Sequence, residues 1–114
     1  MSILRFLFKE QPLPDTITVL EREDYKRAIS QGKVQLVDVR TRAEFMSGHI
    51  KGASNIDFFQ GSVFESAFSK MKKDKPIYLY CQSGNRSQKA ARRLSDMGFE
   101  EVYDLRGGYR AWSY

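Results

Sequence analysis

The chain has 114 residues, 41% of them hydrophobic and 29% charged, with a formal charge of +5. That length suits one domain, and that balance excludes a disordered, collagen-like or membrane-bundle chain. One cysteine, Cys81, and one histidine, His49, exclude an internal disulfide and a structural zinc site of the usual kind. The sequence implies no metal and no organic cofactor.

The apolar residues Ile3, Leu4, Phe6, Leu7 and Phe8, broken by Arg5, are too few for a secretion signal or a membrane span. A short N-terminal turn packed on the body is expected there, with residues 1–14 as an extension before a single domain over residues 15–114. The cytoplasm is the default compartment. Pro12 and Pro14 favour extended backbone at the residues before them. Thr16 to Leu20 is a β-branched run that reads as an edge strand. Glu21 to Gln31 follows as a helix with Tyr25, Ala28 and Ile29 at helical spacing, closed by Gly32.

Val34 to Val39 is nearly continuous in apolar character, as in a strand buried on both faces. Thr41-Arg42-Ala43-Glu44 fits a capping box and predicts a short helix ending near Gly48. Ala53 to Ile56 reads as a third strand. Phe59 to Lys73 is helical in pattern, with Val63, Ala67, Phe68 and Met71 as its expected core face. Ile77 to Cys81 is another buried strand, and Asn85 to Met97 a helix with Ala90, Ala91, Leu94 and Met97 inward. Val102 to Leu105 is the last strand, and Gly107-Gly108 opens a terminal helix through Trp112.

Strands alternating with helices predict an α/β domain, a central parallel sheet with helices on both faces. Chemistry in such a sheet sits beyond the carboxyl ends of the strands. Asp38-Val39-Arg40, Cys81 to Ser87 and Asp104 to Gly108 all fall there.

Cys81-Gln82-Ser83-Gly84-Asn85-Arg86-Ser87 joins a buried strand to a helix. Unpaired N–H groups and the positive end of the helix dipole favour a thiolate over a thiol at Cys81. Gly84 permits a tight turn whose N–H groups converge as an anion nest, and Arg86 adds a fixed positive charge. The same cysteine also fits a small hydrophobe at a strand end. On spacing alone the two readings stand level.

Val37-Asp38-Val39-Arg40, with Glu44-Phe45 and Gly48-His49-Ile50-Lys51-Gly52-Ala53-Ser54-Asn55-Ile56, resembles the N-terminal signature of the rhodanese family of sulfurtransferases. Cys81 to Ser87 is similar to that family's active-site loop, and Asp104 to Gly108 with Ala111-Trp112 to its C-terminal signature. The resemblance implies a rhodanese-like sheet of about five strands. It also implies transfer of a sulfane sulfur from thiosulfate or a similar donor to cyanide or a thiol through a Cys81 persulfide. The loop N–H groups from Gln82 to Ser87 would cradle the terminal sulfur, and Arg86 would orient the anionic donor. Cys81 and Arg86 bound a six-residue loop, one residue shorter than that of the related cysteine phosphatases and better sized for one sulfur atom. A phosphatase is therefore the lesser alternative. A carrier that relays persulfide from a protein partner is the other. Arsenate reduction lacks a second cysteine to resolve its intermediate.

The remaining polar residues read as support. Asp38 and Arg40 end a buried strand, where a charge must be paired; Arg40 is expected on Glu44 or another carboxylate. His49 reads as structural rather than as a base for Cys81. Asp104 and Arg106 are expected to brace the loop, Gly107-Gly108 to allow close approach, and Trp112 to fill core. Phe58 and Phe59 read equally as pocket mouth or core. Arg86, Lys89 and Arg93 share a helix face that could steer an anion, while Lys70, Lys72, Lys73 and Lys75 form a solvated cluster. No nucleic-acid recognition motif accompanies the charge.

Overall fold

Glycines and helix caps punctuate the described elements. The computed structural model describes residues 12–113; the turn expected over the N-terminal apolar residues lies outside them. In order come β1 (Ile17–Leu20), α1 (Arg22–Ile29), β2 (Gln35–Asp38), α2 (Arg42–Met46) and β3 (Ser54–Asn55). A 3-10 turn (Phe58–Gln60), α3 (Ser62–Ser69), β4 (Ile77–Tyr80), α4 (Asn85–Asp96), β5 (Val102–Leu105) and α5 (Gly108–Trp112) complete the described residues. The five strands form one sheet in the order β1-β5-β4-β2-β3, every pair parallel.

Alternation along the strands divides the interior into two layers. On one face Ile17, Val37, Leu79 and Val102 meet Phe64 and Phe68 of α3 and Ala90, Ala91 and Leu94 of α4. On the other, Leu36, Tyr78, Tyr80 and Leu105 meet Tyr25 of α1, with Trp112 of α5 against them. Every residue of β4 is buried, so the run needs apolar or hydrogen-bonded side chains on both faces. Tyr80 meets that need with its hydroxyl, which accepts from the Ile50 N–H at 3.0 Å.

Of the face expected for the third helix, Phe68 and Met71 stay against the core but Val63 turns outward. Val63 is 58% exposed, whereas Phe64 and Phe68 are fully buried. Gly61, at φ +55°, separates the 3-10 turn from α3. Two phenyl rings at i and i+4 bury more apolar area than Val63 and Ala67 could, so they take the inward face. Met97, expected on the core face of α4, packs at its edge.

The capping box of α2 forms as expected: the Glu44 N–H donates to Thr41 Oγ1 at 3.2 Å, and the Thr41 N–H to Glu44 Oε1 at 3.0 Å. Among the described residues no helix is long and apolar enough to cross a membrane. The carboxyl ends of β2, β4 and β5 lie side by side, and their following loops build the candidate site.

Candidate functional site

Cys81 stands directly after β4, and α4 begins at Asn85 with Gly84 as its N-cap at φ +105°. Only glycine adopts that left-handed angle without strain. The turn it makes returns two backbone donors to the sulfur. The Gly84 N–H lies 3.0 Å from Cys81 Sγ and the Ser87 N–H 3.3 Å. Cys81 is 1% exposed, so few waters compete for those donors. Ser87 is buried as well, its hydroxyl donating to the Gly84 carbonyl at 3.3 Å. Converging N–H groups and the start of a helix stabilise negative charge on the sulfur and on whatever it carries.

Arg86 was expected to face an incoming anion, but its terminal nitrogens are already engaged. Nη1 donates to Glu44 Oε1 at 2.8 Å and Nη2 to Glu44 Oε2 at 3.0 Å, a two-pronged pair that fixes the guanidinium plane. The Arg86 hydrogen bonds hold the Glu44 carboxyl down at about 2, with Thr41 adding to them and burial opposing. Arg86 also lies over the exposed Phe59 ring at 5.7 Å, which places Phe59 at the loop rather than in the core. Phe58 instead packs against the core and meets Phe64 edge to face.

Arg40 pairs with Asp38, not with Glu44. Its Nη2 donates to the fully buried Asp38 Oδ2 at 2.7 Å and to the Gly48 carbonyl at 2.6 Å. Burial opposes the Arg40 charge, and the Asp38 hydrogen bonds more than restore it, so its pKa is raised. The remaining prong reaches the active loop, with Nη1 donating to Gln82 Oε1 at 3.0 Å. The guanidinium also covers the Tyr109 ring at 4.5 Å. A buried carboxylate at the end of β2 thus anchors the start of the Cys81 loop through one arginine.

The glycine pair supports the loop from below. The Tyr109 N–H donates to the Cys81 carbonyl at 2.8 Å and the Arg110 N–H to the Gln82 carbonyl at 3.0 Å. A Cβ on Gly108 would collide with the Cys81 carbonyl oxygen and lie 2.6 Å from the Gln82 carbonyl carbon. Close approach was the expected role of this pair, and the geometry requires it.

Asp104 and Arg106 do not form the expected brace. Arg106 turns outward and pairs with Glu21 at 2.6 Å, while Asp104 is buried without a hydrogen-bond partner for either oxygen. His49 stacks on Phe45 at 3.7 Å and its Nδ1 sits 2.9 Å from the Phe45 carbonyl, a local helix-end contact. Trp112 packs edge to face on Tyr25. Along the basic face of α4, Arg93 is spent on Glu65 at 2.9 Å and on the Phe64 ring. Lys70, Lys72 and Lys75 join Lys33 around a groove at the starts of β2 and β4, the pole opposite Cys81.

Two contributors escaped the sequence. Glu44 was visible as a cap but not as the partner of Arg86, 42 positions away. The Gln82 side chain was read only as part of a backbone cradle, and no spacing signal links it to Arg40.

The rhodanese-like domain model matches residues 21–114. Protein YqhL of Bacillus subtilis is 40% identical over 104 residues, covering 90% of this chain and 75% of its own. The thiosulfate sulfurtransferase GlpE of Shewanella oneidensis is 39% identical over 79 residues, covering 69% of this chain and 75% of its own. Among solved structures, a rhodanese-like domain protein from Staphylococcus aureus superposes with a TM-score of 0.72 at 28% identity, over 82% of this chain and 89% of that one. A match that runs from before the first helix through the Cys81 loop and past the glycine pair, on a five-stranded parallel sheet, makes this chain a member of the rhodanese-like domain family.

Proposed function

We propose that the chain is a sulfurtransferase in which Cys81 takes up a sulfane sulfur and passes it to a thiophilic acceptor. The observation that carries this reading is the pair of N–H groups from Gly84 and Ser87 on the Cys81 sulfur. In the first half-reaction the Cys81 thiolate attacks the outer sulfur of thiosulfate. The S–S bond of the donor breaks, its electron pair leaves with sulfite, and Cys81 holds a persulfide anion. In the second, cyanide or a thiolate attacks the terminal sulfur and the Cys81 thiolate is restored. The first N–H groups of α4 have no partner within the helix and are the natural hold for the terminal sulfur. Asp38 and Arg40 act by fixing Gln82 and with it the entrance of the loop.

The engagement of Arg86 by Glu44 favours a second reading of the donor. A neutralised arginine offers a small dianion less attraction than a free one, so a protein-borne persulfide becomes the better source. The two readings share the Cys81 persulfide and differ in relative rate.

The test is intact-mass analysis after incubation with thiosulfate. A gain of one sulfur atom, removed by cyanide and absent in Cys81→Ser, is expected. No gain from either thiosulfate or polysulfide would overturn the proposal, and Cys81-dependent hydrolysis of an aryl phosphate would replace it with a phosphatase. Faster loading from a persulfidated protein than from thiosulfate would identify the relay.

A further inference from the structure

Asp104 is 1% exposed, and neither of its carboxyl oxygens has a hydrogen-bond partner. Leaving a buried carboxyl unmatched is costly, and the proposed sulfur chemistry does not use it. It sits at the carboxyl end of β5, flanked in register by Val19 of β1 and Leu79 of β4, neither of which can pair with it. Behind the Cys81 loop it borders a cavity of about 260 Å³ shared with Ser83, Asn85, Gln88 and Arg106, which gives a proton a way in. The groups that face it are few. Ser87 approaches from α4, Arg106 from the turn after β5, and Tyr25 from α1, each close enough to feel its charge. Ser87 is the member that matters, because its backbone N–H is one of the two donors on Cys81 Sγ.

We propose that Asp104 is a positioning residue: by gaining or losing its proton it sets how Ser87 and the loop hold the charged Cys81 sulfur. With the proton on, the carboxyl is neutral, and the Ser87 hydroxyl rests on the Gly84 carbonyl at its long 3.3 Å contact. With the proton off, the Ser87 hydroxyl turns to the carboxylate as the nearest strong acceptor. The new negative charge behind the loop then opposes the one on sulfur. The switch falls in a useful range. Burial pushes the Asp104 carboxyl up to about 7, against the pull of the nearby Ser87 and Leu105 dipoles and the Arg106 charge, none of which closes a hydrogen bond to it.

The test does not depend on sulfur transfer, because Cys81 is the only cysteine and its alkylation by iodoacetamide reports the charged sulfur directly. The ratio of the alkylation rate of Asp104→Asn to that of the wild type is expected near one below about pH 5, rising to about threefold with the rise centred near the Asp104 value, and falling back toward one at alkaline pH where the sulfur is fully ionised in both proteins. A ratio that does not change with pH would overturn the proposal, since a purely structural aspartate gives a constant offset. Should Asp104→Asn not fold, the Ser87 amide resonance is followed against pH in Cys81→Ser, where the sulfur no longer titrates. A shift centred near neutrality supports the coupling. A Ser87 amide that does not move refutes it. Loss of persulfide formation in the wild type with the pH-dependent ratio intact would overturn the sulfurtransferase reading and leave this one standing.

Discussion

Replacing Gly108 with alanine perturbs the loop without touching a reactive group, so its outcome measures how far the glycine pair supports Cys81. Gly108 has φ +63°, and a Cβ there meets the Cys81 carbonyl oxygen and lies 2.6 Å from the Gln82 carbonyl carbon. The left-handed angle costs alanine about 1–2 kcal/mol. The collision is with backbone, which cannot rotate aside, and overpacking of that kind adds about 1–3 kcal/mol. Gly108→Ala is therefore expected to lose about 2–5 kcal/mol. Relief of the clash would stretch the Tyr109-to-Cys81 and Arg110-to-Gln82 hydrogen bonds, now 2.8 and 3.0 Å. Gly52→Ala is the control: φ is +90° with no atom within 4 Å, so it bears the backbone strain alone. Urea unfolding of the two variants gives the difference directly, and persulfide loading by mass gives the functional consequence. Gly108→Ala should be the less stable by about 1–3 kcal/mol and should load sulfur more slowly. If the two variants unfold together, or if Gly108→Ala loads like the wild type, the close approach does not support the loop.

Two further outcomes follow from the Glu44 and Arg86 pair. The Glu44 carboxyl sits at about 2, below its usual value of 4.5, so its contribution to stability is present above that usual value and is lost as pH falls toward 2. With the two side chains 33% and 22% exposed, solvent screening reduces that contribution to about 1 kcal/mol. Glu44→Gln should unfold earlier than the wild type in urea at neutral pH, and the gap should close in acid; a gap independent of pH would contradict the assigned cause. Thr41→Ala removes the acceptor of the Glu44 N–H and should lower stability by about 1 kcal/mol in thermal unfolding. The same variant loosens Glu44 and with it the neutralisation of Arg86, so persulfide loading from thiosulfate should quicken; a stability loss with unchanged loading would limit Thr41 to capping.

The order of strands and helices was legible because each element carries its own local signal. The β4 run Ile77 to Tyr80 has no polar face to show solvent, and Thr41 with Glu44 forms a cap that involves only neighbouring residues. The loop from Cys81 to Ser87 was legible for the same reason, since a strand end, a glycine and a helix start are adjacent in the chain. Where two local patterns competed, as at Val63 and Phe64, spacing alone chose wrongly, because the winner was decided by area buried against the sheet. The partners of the charged residues were not legible at all. Arg40 could have met Glu44 or another carboxylate, and only the parallel pairing of β2 beside β4 gave it Asp38 and Gln82 and left Glu44 to Arg86. Asp104 was read as a brace, yet the parallel register that sets it between Val19 and Leu79 denies it a partner. The sequence by itself determined the alternating elements, the single cysteine and the turn that aims donors at it, because these depend on residues within a few positions of one another. The tertiary structure decided which charges neutralise each other and which one is left buried and unmatched, because that depends on which strands lie side by side.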